Sequence, residues 1–150
     1  SEMCIRDRAN AAAFTGQITT LRDKLAAIKT AHDGTKVAQT EPLAGYLLTE
    51  AGLVDASPAG FTQSVEEGNS PAAADIAAMQ DLLKNRTVRA FIYNTQAVDA
   101  VTKQMLPIAE GAGVPVLRFT ETLPDGVTSY IAWQTAQIDA LAAALAEPAR

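Results

Sequence analysis

The stretch Val88-Arg89-Ala90-Phe91-Ile92-Tyr93, "VRAFIY", decides the fold. β-Branched and aromatic residues dominate it, and they predict a buried strand of the kind that parallel sheets use. Its flanks agree. Upstream, "SPAAADIAAMQDLLKN" (70–85) places Ile76, Met79, Leu82 and Leu83 on one side of a helix, with Ser70 expected as N-cap and Pro71 as first helical residue. Downstream, "AVDAVTKQMLPIAEGAG" (97–113) reads as a helix despite Pro107, closed by Gly111 and Gly113. "VPVLRF" (114–119) is then the last strand.

The same alternation continues outward. "KVAQT" (36–40) predicts a strand leading into "PLAGYLLTEAG" (42–52), with Pro42 at the first helical position and Gly52 as C-cap. "LVDA" (53–56) is a weak strand before the helical "SPAGFTQSVEEG" (57–68). From Ala9 to Ala31, Phe14, Ile18, Leu21, Leu25 and Ile28 recur at spacings of four and three, one apolar stripe on a long helix that Asp33-Gly34 ends. A closing helix from about Thr128 to Leu145 carries Ile131, Gln134, Ile138, Leu141 and Leu145 at heptad-like spacing. Strands alternating with helices predict an α/β fold: a small parallel sheet of about four strands, helices on both faces, right-handed crossovers, and a long helix in front.

The chain has 150 residues, enough for one domain with a real core. Its net charge is −5 and no Lys/Arg cluster supplies a phosphate-binding stripe, which argues against nucleic acid as partner. No apolar run reaches the roughly 18 residues of a membrane span. Cys4 stands alone, so neither a disulfide framework nor a cysteine metal knot is available. The opening "SEMCIRDR" (1–8) lacks the apolar segment of a secretory signal and is unlike the rest of the chain. It reads as a non-native or disordered terminus.

In an open parallel sheet, ligands bind beyond the carboxyl ends of the strands. Three polar groups are expected there: Glu41 after the first strand, Asn94-Thr95-Gln96 after "VRAFIY", and Glu121 after "VPVLRF". Both glutamates follow a threonine at the end of an apolar run. Strand neighbours lie only about 4.8 Å apart, so carboxylates on adjacent or next-but-one strands can meet. Two carboxylates that close repel unless a proton or cation lies between them. Each also has a plainer reading: Glu41 as an anion at a helix N-terminus, Glu121 as a solvated loop acid. His32, the sole histidine, suits the negative end of a helix dipole. No serine lies in a G-x-S-x-G elbow, and neither a P-loop nor G-x-G-x-x-G is present. Met79, Met105 and Trp133 read as core, and Tyr93 as core edge.

In combination, T-E-P-x-x-x-Y (40–46), P-x-x-x-D-I (71–76), Y-N-x-Q (93–96) and T-E-T-L-P-x-G-x-T-S-Y (120–130) resemble the C-terminal lobe of the zinc/manganese-type solute-binding proteins of bacterial ABC importers. The resemblance covers most of the chain from Ala9. It implies two α/β lobes that clamp a divalent metal, joined by a long helix. Residues 9–32 would then be the later part of that linking helix and 33–150 the C-terminal lobe. The N-terminal lobe, which supplies the family's histidine ligands, would be missing. Family ligand positions fall on Glu41, just before the helix after the first strand, and on Glu121, after the last strand. The second family ligand is most often Asp, so Glu121 lengthens that arm by one methylene. The resemblance further implies Zn²⁺ or Mn²⁺ as transported ligand, no catalytic cofactor, a membrane permease as partner, and a periplasmic or surface-anchored location. Carboxylates suit Mn²⁺ and imidazoles Zn²⁺. Outside the resemblance two alternatives stand: a small α/β enzyme domain with Glu41 as general base, and a non-catalytic partner-binding domain.

Overall fold

A computed structural model describes residues 2–148, and Ser1 lies outside them. Among the described residues, four strands form one parallel sheet: β1 (Lys36–Gln39), β2 (Val54–Asp55), β3 (Phe91–Asn94) and β4 (Val116–Phe119), in the order β2-β1-β3-β4. Ala38 stands beside Phe91, and Phe91 beside Val116, so β3 is central and flanked by the strands that precede the two glutamates. The helices are α1 (Glu2–His32), α2 (Gly45–Glu50), α3 (Ala59–Glu66), α4 (Ala73–Lys84), α5 (Ala100–Ala112) and α6 (Tyr130–Ala146).

Successive strand residues face opposite sides, and the core divides accordingly. Val37, Ile92, Leu117 and Phe119 pack against Leu21, Leu25 and Ile28 of α1, Leu47 and Leu48 of α2, and Ile138, Leu141 and Leu145 of α6. Ala38, Phe91 and Tyr93 face the other way, onto Phe61 and Val65 of α3, Met79 and Leu83 of α4, and Met105 and Ala109 of α5. Each large side chain fully buried here contributes about 1.5–3 kcal/mol of transfer free energy. β3 is shorter than the expected Val88–Tyr93, and its two-sided burial is why Phe91-Ile92-Tyr93 reads as an unbroken apolar run.

Several boundaries differ from the sequence expectation. α1 starts at Glu2 rather than Ala9, so the helix runs on through residues 2–8. "EMCIRDR" contains neither Gly nor Pro, and nothing in it stops a helix from running through. The stripe begins to pack only at Ile18; Phe14 and residues 2–17 as a whole are exposed. Pro42 lies in a turn ahead of α2, and the N-cap is Ala44. The cap of α4 is Ala72, not Ser70, and Pro71 is buried just outside the helix. α5 starts at Ala100 with a reciprocal cap: Asp99 Oδ1 accepts the Thr102 amide at 2.7 Å, and the Asp99 amide donates to Thr102 Oγ1 at 3.1 Å. Gly113 ends α5 at φ +76°, where a Cβ would be strained.

Candidate functional site

The carboxyl ends of β1, β3 and β4 converge on one edge of the domain, and the predicted polar groups sit there. β1 ends in Gln39, a buried residue that fixes the turn after it. Its Oε1 accepts the Ala44 amide at 3.0 Å, and its Nε2 donates to Asp55 Oδ2 at 2.8 Å. The Leu43 amide donates to the Glu41 carbonyl at 2.6 Å and closes that turn tightly. Glu41 therefore leaves the sheet in a defined direction, four residues ahead of α2 rather than within its first turn.

Asn94, the last residue of β3, is wholly buried. Its Nδ2 donates to Glu41 Oε1 at 2.6 Å, and its Oδ1 accepts the Gln96 amide at 2.8 Å. Burial pushes the Glu41 carboxyl above the ordinary carboxylate range; the Asn94 hydrogen bond partly offsets this, and the charges of Glu121, Glu66 and Asp99 push it further up. The charges that act on Glu41 are thus those of other acids.

Glu121 is exposed in the loop after β4. Gln96 Oε1 accepts its amide at 3.0 Å, the Thr122 amide at 3.1 Å and Thr122 Oγ1 at 3.2 Å. On the other side α6 holds Thr120, whose amide donates to Gln137 Oε1 at 3.1 Å and whose Oγ1 accepts Trp133 Nε1 at 2.9 Å. β3 lies between β1 and β4, so the two acid-bearing chain ends are about 9.6 Å apart at the level of the strands. The sheet thus brings Glu41 and Glu121 to one edge, near enough for the Glu121 charge to act on Glu41.

His32 is not part of this group. It ends α1 beside the start of β1, at the opposite end of the sheet. Among the described residues no cluster of three His, Cys, Asp or Glu could hold a metal ion, so the acid pair is at most part of a coordination sphere. Trp133 is only half-buried, unlike Met79 and Met105. It stacks edge-on with Tyr130, centroids 5.8 Å apart, and lines a cleft of about 440 Å³ between α1, α2 and α6, with Glu121 at its margin. Trp133 and Gln137 carried no sequence signal for contact with the Glu121 loop, because the contact depends on where α6 crosses the sheet. Gln96 did carry one, its fixed spacing from the strand end, but the spacing does not reveal its partners.

Residues 7–144 match the sequence profile of the family described as zinc-uptake complex component A, periplasmic. No curated protein sequence matches the chain. Solved structures are similar in fold. A mutant of the laminin-binding adhesin Lmb from Streptococcus agalactiae superimposes with TM-score 0.68 at 18% identity, over 90% of this chain and 49% of that one. FpvC of Pseudomonas aeruginosa, a solute-binding protein in complex with Mn²⁺, gives 0.64 at 21% identity, over 91% and 50%. A Zn(II)-bound variant of AdcAII from Streptococcus pneumoniae gives 0.64 at 16% identity, over 91% and 48%. The chain spans about half the length of each.

Proposed function

The chain belongs to the family of zinc-uptake complex component A, and from that premise we propose that it is the C-terminal lobe of a receptor that captures Zn²⁺ or Mn²⁺ outside the cytoplasm and delivers it to the permease of an ABC importer. One observation carries the reading. Glu41 and Glu121 leave the carboxyl ends of β1 and β4 on either side of β3; the Asn94 side chain donates to the first carboxylate, and the Glu121 amide donates to Gln96. Around Glu41 are an amide and further acids, an environment that favours a cation over a proton-transfer pair. Two carboxylates supply only part of a coordination sphere. The remaining ligands come, in this reading, from a histidine-bearing lobe at the other end of α1, the linking helix. Splitting the ligands lets metal stabilise a closed form, because only closure completes the coordination. Reversible capture of this kind needs no nucleophile.

Calorimetry of the 150-residue chain with Zn²⁺ and Mn²⁺ tests the half-site. We expect no tight binding, only weak heat that disappears in Glu41→Ala. A sub-micromolar affinity abolished by Glu41→Ala would mean that these residues already form a complete site, and the split-ligand reading would be wrong.

A further inference from the structure

The Y-N-x-Q stretch that ends β3 and opens the turn after it hydrogen-bonds both acid-bearing loops, the Glu41 carboxylate through Asn94 and the Glu121 backbone through Gln96. We propose that Gln96 is a positioning residue: its side-chain amide holds the Glu121 loop beside Glu41 and so sets the spacing of the two carboxylates. The inference rests on the metal-site reading above and adds to it the residue that fixes the geometry.

Three facts carry it. First, Gln96 Oε1 is fully engaged, accepting from the Glu121 amide, the Thr122 amide and Thr122 Oγ1. An amide oxygen has two lone pairs, so three donors leave it none for a cation, and Gln96 acts through the loop rather than as a ligand. Second, the backbone of Gln96 is anchored to the other acid. Its amide donates to Asn94 Oδ1, and the same Asn94 side chain donates to Glu41 Oε1. A continuous chain of hydrogen bonds therefore runs from the Glu41 carboxylate through Asn94 and Gln96 to the Glu121 backbone. Third, Thr95 extends the pairing of β3 with β4 by one residue, its amide donating to the Phe119 carbonyl at 3.0 Å. The turn that carries Gln96 is thus tied to the end of the sheet, while Glu121 and Thr122 themselves are exposed.

Gln96→Met keeps the length of the side chain and removes the acceptor; Gln96→Glu keeps acceptor oxygens. Both variants are made in the whole 150-residue chain. Amide hydrogen exchange at Glu121 and Thr122, and broadening of the Glu41 and Glu121 resonances by added Mn²⁺, are followed by NMR. In Gln96→Met we expect exchange at both amides to rise at least tenfold and the Mn²⁺ midpoint to move severalfold higher, at an unchanged melting temperature because the Glu121 loop is exposed and outside the core. Gln96→Glu retains the protection. Unchanged exchange in Gln96→Met overturns the proposal, as does faster exchange with an unmoved Mn²⁺ midpoint. If Mn²⁺ broadens neither glutamate in the native chain, the metal-site reading fails instead, and the exchange comparison still decides whether Gln96 holds the loop.

Discussion

Replacing Asn94 with alanine strikes the structure where the sheet meets the acid pair. The substitution deletes two hydrogen bonds made by a wholly buried side chain, one to Glu41 Oε1 at 2.6 Å and one from the Gln96 amide at 2.8 Å. A bond to a charged acceptor contributes about 1.5–3 kcal/mol and a neutral one about 0.5–1.5, so the loss at neutral pH is about 3 kcal/mol. For a chain of this length that lowers the melting temperature by about 10 °C. Urea unfolding of the native chain, Asn94→Ala, Glu41→Ala and the double variant closes a thermodynamic cycle. The coupling energy between the two positions should be about 1.5–3 kcal/mol, because the shared bond is lost only once. Asn94→Ala within about 0.5 kcal/mol of the native chain, or a coupling energy near zero, would refute the claim that Asn94 holds the Glu41 carboxylate.

Two further outcomes are expected. Glu41 has a native pKa raised above its ordinary value, so the folded state holds its proton longer than the unfolded state; stability falls as pH rises from the ordinary carboxylate range through the raised native value. Glu41→Gln retains an acceptor for Asn94 but has no such slope, and its urea midpoint should gain on that of the native chain as pH rises; parallel pH profiles would contradict this. Asp99→Ala removes the cap of α5 and should cost about 1 kcal/mol. The same change removes one of the charges acting on Glu41, so an NMR titration should find the Glu41 pKa lowered.

Alternating apolar runs and helical stripes made the architecture legible, since a strand buried on both faces and an amphipathic helix leave different periodicities. The parallel four-strand sheet and its helices on both faces follow from "VRAFIY", "VPVLRF" and their flanking stripes. Strand order does not: nothing local in β3 says that it lies between β1 and β4, and that order puts the turn at Asn94–Gln96 between the two glutamates. The missed boundaries share a cause. Pro42 and Ser70 carry helix-start chemistry, yet a side chain distant from the usual cap positions, Gln39 Oε1, takes the Ala44 amide ahead of α2, and Pro71 is buried outside α4. Glu41 and Glu121 were visible as an echoed Thr-Glu; the amides that organise them were visible only as polar residues at a strand end.

The unequal packing of α1 has a mechanical consequence. Its second half is seated on the core through Leu21, Leu25 and Ile28, while residues 2–17 are exposed along their whole length. At 1.5 Å per residue the exposed half is a lever arm of about 24 Å. With no proline to break it, the rod carries rotation from one end to the other. A tilt of about five degrees at the seated half sweeps the far end through about 2 Å, roughly the length of a metal–ligand bond. Small repacking of Leu21 and Leu25 against the core is thereby amplified into a displacement of that size at the far end of the helix.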